Sequence, residues 1–270
     1  MGLPFYVSPE QFMKDKSDYA RKGIARGKSV IAVDYAGGIL LVAENPSTTL
    51  HKIAEIYDRI AFAGVGKFNE FETLRMHGVR QADVRGYSYS REDVSARAIA
   101  NGFSQVLGQI FTAELKPFEV EVLVAQVGND GEPNEMFHIL YDGSVADEAN
   151  FVAMGGQAEA LSEHLRRNFR RGATLAEALS LGVSALAEVE KREIPPKNLE
   201  AATLDRRRER RKFRRFQERE LAELLGVAPS GGAGPPTGSS PNGSGGGPPG
   251  PAPGPAPGPA PKPSSDPAGP

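Results

Sequence analysis

Gly27-Lys28-Ser29-Val30-Ile31-Ala32-Val33-Asp34-Tyr35-Ala36-Gly37-Gly38-Ile39-Leu40-Leu41-Val42-Ala43 is the stretch whose reading decides the fold. Residues 29–35 are rich in β-branched and aliphatic side chains, Gly37-Gly38 supplies turn chemistry, and residues 39–43 return as a second strand. Upstream, Ser8 stands where a helix cap is needed, Pro9 suits the first helical position, and Gln11 follows three residues after the cap, a capping-box spacing. Phe12, Tyr19 and Gly23 share one face of that helix. The cations between Arg21 and Lys28, set around Gly23 and Gly27, mark its C-terminal end. A helix therefore runs directly into the first strand of a hairpin.

Beyond the hairpin, Asn45-Pro46-Ser47 forms a loop before His51-Lys52-Ile53, and strands are predicted at Ile53–Tyr57 and Arg59–Gly64. Two helices follow. One starts near Asn69; the other is capped by Ser90, carries Val94, Ala98, Phe103, Leu107, Ile110 and Phe111 on one side, and ends before Pro117. Strands are predicted at Glu119–Val127, Met136–Tyr141 and Phe151–Met154. A helix opens at Gly155-Gly156 and runs to about Arg170, and another, capped by Thr174, runs to about Glu190. After Pro195-Pro196 come a strand at Leu199–Leu204 and a short helix at Glu218–Leu225. This order lacks the strict alternation of a doubly wound sheet. It predicts an α+β fold of two facing sheets with helix layers outside.

The chain has 270 residues, a net charge of −2 and no cysteine, which excludes disulfides, thiolate zinc sites and a cysteine nucleophile. From Pro229 to Pro270 proline and glycine dominate, and, proline aside, no apolar residue exceeds alanine, so this segment is expected to be disordered. The expected organisation is an N-terminal segment with its helix at 1–28, a domain at 29–227, and a Pro/Gly-rich tail at 228–270. The N-terminus has no charged segment followed by an apolar core, and no apolar run approaches the ~20 residues that span a bilayer. A cytoplasmic protein without a membrane partner is the expectation.

Several motifs carry no chemistry. Gly64-Val65-Gly66-Lys67 lacks the glycine spacing and following hydroxyl of a phosphate loop and reads as a strand end. His51, His77, His138 and His164 are scattered without metal-ligand spacing, so neither metal nor cofactor is expected. The run Arg206–Arg215, with Phe213 and Phe216 beside it, has a nucleic-acid reading, an acidic-partner reading, and a plain one. In the plain reading it is an exposed turn and strand paired with Asp205, Glu218 and Glu220. The slightly acidic chain favours this last, and no nucleic-acid partner is expected. The repeat from Pro251 is polyproline-like and reads as a spacer.

Many ordered motifs together resemble one family. Tyr6–Gln11 and Ala20–Arg26 resemble the N-terminal helix of actinobacterial-type proteasome α subunits. So do Tyr35–Gly38, Val42–Ser47, Ile56–Arg59, Gly66–Phe71, Asp83–Tyr87, Lys116-Pro117, Tyr141–Ser144, Ala146–Glu148 and Met154–Gly156. The resemblance spans about Pro4 to Leu225 and implies an N-terminal-nucleophile hydrolase fold, a four-layer αββα sandwich with the α-type helical extension. In that family β-type subunits carry an N-terminal threonine nucleophile. Here Lys28 or Ser29 takes the place, behind a helix and without a free amine to serve as base, which implies a non-catalytic subunit. The alternative is an active hydrolase using Ser29 after cleavage at Lys28.

The resemblance further implies a homo-heptameric α ring stacked on β-type subunits. Leu3, Pro4, Phe5, Tyr6 and Val7 would gate its axial pore. Lys52 would pair with the C-terminal carboxylate of a ring-shaped ATPase in a pocket lined by Gly27 and Gly66. Substrates would be tagged with a prokaryotic ubiquitin-like protein. Tyr57-Asp58-Arg59 has the letters of the gating triplet that archaeal and eukaryotic relatives carry near their N-termini. It lies between strands here and is not transferred as a gate.

Overall fold

A computed structural model of the chain describes residues 8–227. The gate candidates Leu3–Val7 and the Pro/Gly-rich segment from residue 228 lie outside the described residues.

The chain opens with α1 (Pro9–Ile24). Ser8 Oγ accepts from the Gln11 amide at 3.2 Å, but the Gln11 side chain reaches forward to Asp15 Oδ1 at 2.6 Å, so only half of the expected capping box forms. The buried stripe of α1 is Lys16, Ala20 and Ile24, whereas Phe12 and Tyr19 stay exposed. The Lys16 ammonium ends at the C-terminus of a later helix, donating to Phe111 O at 2.9 Å, where carbonyl groups lack helical partners and favour a cation.

The strands are β1 (Val30–Tyr35), β2 (Gly38–Glu44), β3 (Ile53–Tyr57), β4 (Ile60–Gly66), β5 (Val120–Gln126), β6 (Glu135–Ile139), β7 (Val145–Glu148), β8 (Phe151–Met154), β9 (Leu199–Asp205) and β10 (Phe213–Arg215). The remaining helices are α2 (Phe68–Ser88), α3 (Ala96–Ala113), α4 (Ala158–Asn168), α5 (Leu175–Glu190) and α6 (Glu218–Leu225). One five-stranded sheet has the order β10-β9-β2-β1-β8 and the other β3-β4-β5-β6-β7. Every pairing in them is antiparallel.

Strand alternation sends side chains to both faces of each sheet, which gives three apolar layers. Ala32, Ile39, Leu41, Ala63, Leu123 and Met154 meet between the sheets. Ile31, Leu40, Val42, Leu161, Leu179 and Leu186 join the first sheet to α4, α5 and α6. Phe62, Phe71, Ile99, Phe103, Leu107 and Val122 join the second to α2 and α3. The result is the four-layer αββα sandwich. Ala20 and Ile24 of α1 enter the layer between the sheets.

Three local expectations change. Ser90 caps only a single 3-10 turn, Arg91–Asp93, and α3 begins later, with Ser95 Oγ accepting from the Ala98 amide at 3.4 Å. α4 begins at Ala158 because Gly155 takes φ +107° and belongs to the bend before the helix. β7 was not foreseen. Its side chains are mostly exposed, and it exists as an edge strand by pairing with β6.

The hairpin of β9 and β10 also ties the two sheets together along one edge. Arg215 donates to Ile53 O at 2.6 Å, the Lys212 amide to Asp58 O at 2.8 Å, and Arg211 Nε to Glu55 Oε2 at 2.5 Å. Tyr57-Asp58-Arg59 is the connection between β3 and β4, and Asp58 is held by Arg91.

Candidate functional site

Ser29 lies buried just before β1, at the end of the sandwich where α1 enters. The chain ahead of it is fixed by close packing. A Cβ on Gly156 would come within 2.7 Å of Ala25 O, and one on Gly155 within 3.1 Å of Ser29 Oγ. The Ser29 nitrogen is a peptide nitrogen with α1 packed in front of it. It has no proton-accepting lone pair to activate its own hydroxyl, so the geometry at the first strand is not that of an N-terminal nucleophile.

The three residues assigned to a carboxylate pocket do come together. Gly27 sits against Gly66, where a Cβ would lie 3.0 Å from the Gly66 amide nitrogen. Gly66 takes φ +104° and abuts Glu119 O so closely that any side chain would overlap it, so glycine is required there. The Gly27 amide is already used, donating to Ile24 O at 2.9 Å. Lys52 reaches the same corner from the start of β3, and its ammonium donates to Lys28 O at 2.5 Å.

Lys52 is half-buried and forms no ion pair with a carboxylate among the described residues. Burial pushes its ammonium down to about 8; Glu200 and Glu44 pull the other way, and Lys28 adds to the depression. Its neighbours are better compensated. The Lys28 ammonium stands 2.8 Å from Glu190 and 3.3 Å from Glu44, and these carboxylates hold it above its ordinary value against burial. Arg192 pairs with Glu44 and lies 3.6 Å from Glu190. Burial works to raise the Glu44 carboxyl, but Arg192 and Lys28 bring it below the ordinary range.

Glu200 builds the floor on the other side. It is buried and accepts from the Lys52 and Ile53 amides at 2.9 and 3.2 Å and from Asn45 Nδ2 at 2.7 Å, and it pairs with Arg215. It thereby fixes the backbone from which Lys52 projects. Glu44, Glu190, Arg192 and Glu200 were not singled out from the sequence. They reach Lys28 and Lys52 from as much as 162 positions away, and no local pattern marks them.

Half of the cations in the arginine run pair with the chain's own carboxylates. Arg207 pairs with Asp205 at 2.7 Å, Arg211 with Glu55, Arg214 with Glu220 and Arg215 with Glu200. Asp205 and Glu220, both expected from the sequence, are among these partners. Among the described residues no cluster of His, Asp and Glu could hold a metal ion. No described helix is long and apolar enough to cross a membrane. Exposed apolar side chains include two groups: Phe12, Tyr19 and Leu115 beside α1, around a groove of about 450 Å³, and Val84, Tyr87 and Tyr89 near the end of α2.

Residues 24–204 match the family described as Proteasome subunit. Proteins named "Proteasome subunit alpha" are similar over most of their lengths. The one from Kineococcus radiotolerans is 59% identical over 233 residues, covering 83% of this chain and 98% of its own. The one from Sanguibacter keddieii is 55% identical over 248 residues, covering 90% and 97%. The one from Thermobifida fusca is 53% identical over 227 residues, covering 83% and 91%.

Proposed function

Because this chain belongs to the proteasome subunit family, as an α-type member whose role is non-catalytic, we propose that it forms the outer rings of a compartmental protease. In that role it closes the entrance and receives a ring-shaped ATPase. The observation that carries the docking reading is Lys52, a half-buried ammonium whose hydrogen-bond partner is a carbonyl and not a carboxylate. A buried cation without an anion is unfavourable, and an incoming chain-terminal carboxylate corrects that.

The rest of the reading follows the family. Seven copies form a ring that stacks on β-type subunits, which supply the threonine nucleophile. The apolar patches beside α1 and at the end of α2 are surfaces that such contacts would cover. Leu3–Val7 close the pore, Gly27 and Gly66 shape the pocket, and the proteins degraded in the cytoplasm carry a prokaryotic ubiquitin-like tag. The test is Lys52→Ala in particles assembled with the β-type partner. Particles are expected to form and to lose most ATPase-stimulated protein degradation, since breaking a desolvated charge pair costs about 2–5 kcal/mol. ATPase binding at undiminished affinity would overturn the assignment.

A further inference from the structure

Five charged side chains meet at the corner where α1 ends, β2 ends, β3 begins and α5 ends. Lys28, Glu44, Glu190 and Arg192 form one network of four ion pairs. Lys52 is joined to it through the Lys28 carbonyl. Three cations thus face two carboxylates. The adjoining Glu200 does not change the balance, because Arg215 neutralises it. His51 lies 3.3 Å from Glu200 as well, but its charge depends on protonation.

The network also decides how Lys52 is presented. Lys28, at 3.3 Å, and Arg192 both lie on the buried Glu44 carboxylate, while the Lys52 ammonium has the Lys28 carbonyl as its partner. Were Arg192 missing, Glu44 and Glu190 would share only Lys28, and Lys52 would be the remaining cation available to them. The corner would then be neutral without a ligand.

We propose that Lys28, Glu44, Glu190 and Arg192 form a positioning frame for the docking site, one carboxylate short of neutrality, and that the terminal carboxylate of the docking chain completes it. The proposal rests on the docking role of Lys52. The frame selects for a free carboxylate end over a capped one, because only a formal negative charge balances it. It also makes affinity depend on the charge count of residues that need not touch the ligand.

The test uses particles assembled with the β-type partner and a synthetic peptide of the ATPase's last eight residues, made as free acid and as C-terminal amide. Binding is read by fluorescence anisotropy at fixed salt. Arg192→Gln is expected to weaken the free acid about threefold, Glu190→Gln to tighten it about threefold, and the double variant to bind close to wild type, as suits half-exposed charges. Arg192→Lys keeps the charge and is expected to bind as wild type. The amide should be indifferent to all four. If Glu190→Gln also weakens the acid, or if acid and amide shift together, the frame has only a structural role and the proposal is wrong. Lys52→Ala separates the two levels. Loss of the acid-over-amide preference with no response to Arg192→Gln or Glu190→Gln sinks the frame alone, whereas an intact preference in Lys52→Ala sinks the docking assignment beneath it.

Discussion

Replacing Lys52 by methionine is expected to reveal how much stability the fold gives up to keep a bare ammonium in place. Burial lowers its pKa from the ordinary 10.5 to about 8. At about 1.4 kcal/mol per tenfold change in proton affinity, the charged form is disfavoured by at most about 3 kcal/mol in the native state. Partial exposure reduces the working expectation to about 1–3 kcal/mol. The sign follows from proton counting. Between pH 8 and 10.5 the unfolded chain binds a proton that the native chain has released, so wild-type stability rises with pH across that window. Lys52→Met has no such proton, and the charges facing the site, Glu200, Glu44, Lys28 and His51, are common to both proteins. The stability of Lys52→Met relative to wild type should therefore fall by about 1–3 kcal/mol between pH 7 and pH 10.5. The lost hydrogen bond to Lys28 O adds a constant offset of about 1 kcal/mol at every pH. Urea titrations at pH 7, 8.5, 9.5 and 10.5, at one protein concentration, measure the difference. A difference that stays flat or grows with pH would refute the claim that Lys52 is a strained cation.

Other outcomes follow from single contacts. Gly66→Ala should destabilise the chain by about 2–5 kcal/mol, because φ is +104° and the new methyl overlaps Glu119 O; a thermal melt within a degree of wild type would count against this geometry. Glu200→Gln should cost about 3–5 kcal/mol, since it leaves Arg215 without its buried partner; an unchanged urea midpoint would show that the floor of the site is not held by charge. Deleting Gly2–Val7 while keeping the Ser8 cap should raise small-peptide entry into the assembled particle, seen as faster hydrolysis, and an unaltered rate would place the pore closure elsewhere.

What the sequence made legible was set by local chemistry. The α5 cap came through: Thr174 caps the helix as expected, and the structure adds Glu177, which exchanges both bonds of a capping box with it. The β1–β2 hairpin came through because glycines stand between two aliphatic-rich runs; the register pairs Tyr35 with Gly38, so the turn itself is Ala36-Gly37 and Gly38 already belongs to β2. β7 did not, because Val145-Ala146-Asp147-Glu148 has no buried alternation and is ordered only by its neighbour. The start of α3 was displaced because Ser90 and Ser95 both offer capping oxygens, and only packing selects the second. The buried face of α1 was not legible for a related reason. Aromatic residues look like core, yet Lys16 is buried in their place because Phe111 O and Glu114 O receive its ammonium. At the candidate site, Lys52, Gly27 and Gly66 were reachable through resemblance alone. Glu44, Glu190, Arg192 and Glu200 became visible only once the sheets brought distant segments side by side.

The bonds from the β9–β10 hairpin to Ile53, Glu55 and Asp58 have a mechanical meaning. Stacked sheets held only by apolar side chains can slide, since such contacts have no direction. Here directional ties clamp one edge, while Ala20 and Ile24 of α1 are wedged into the layer between the sheets. Shear between the layers would have to break guanidinium–carbonyl and guanidinium–carboxylate contacts together. A force on the chain just before β3 would therefore meet a clamped edge and be carried through the hairpin ties into both layers.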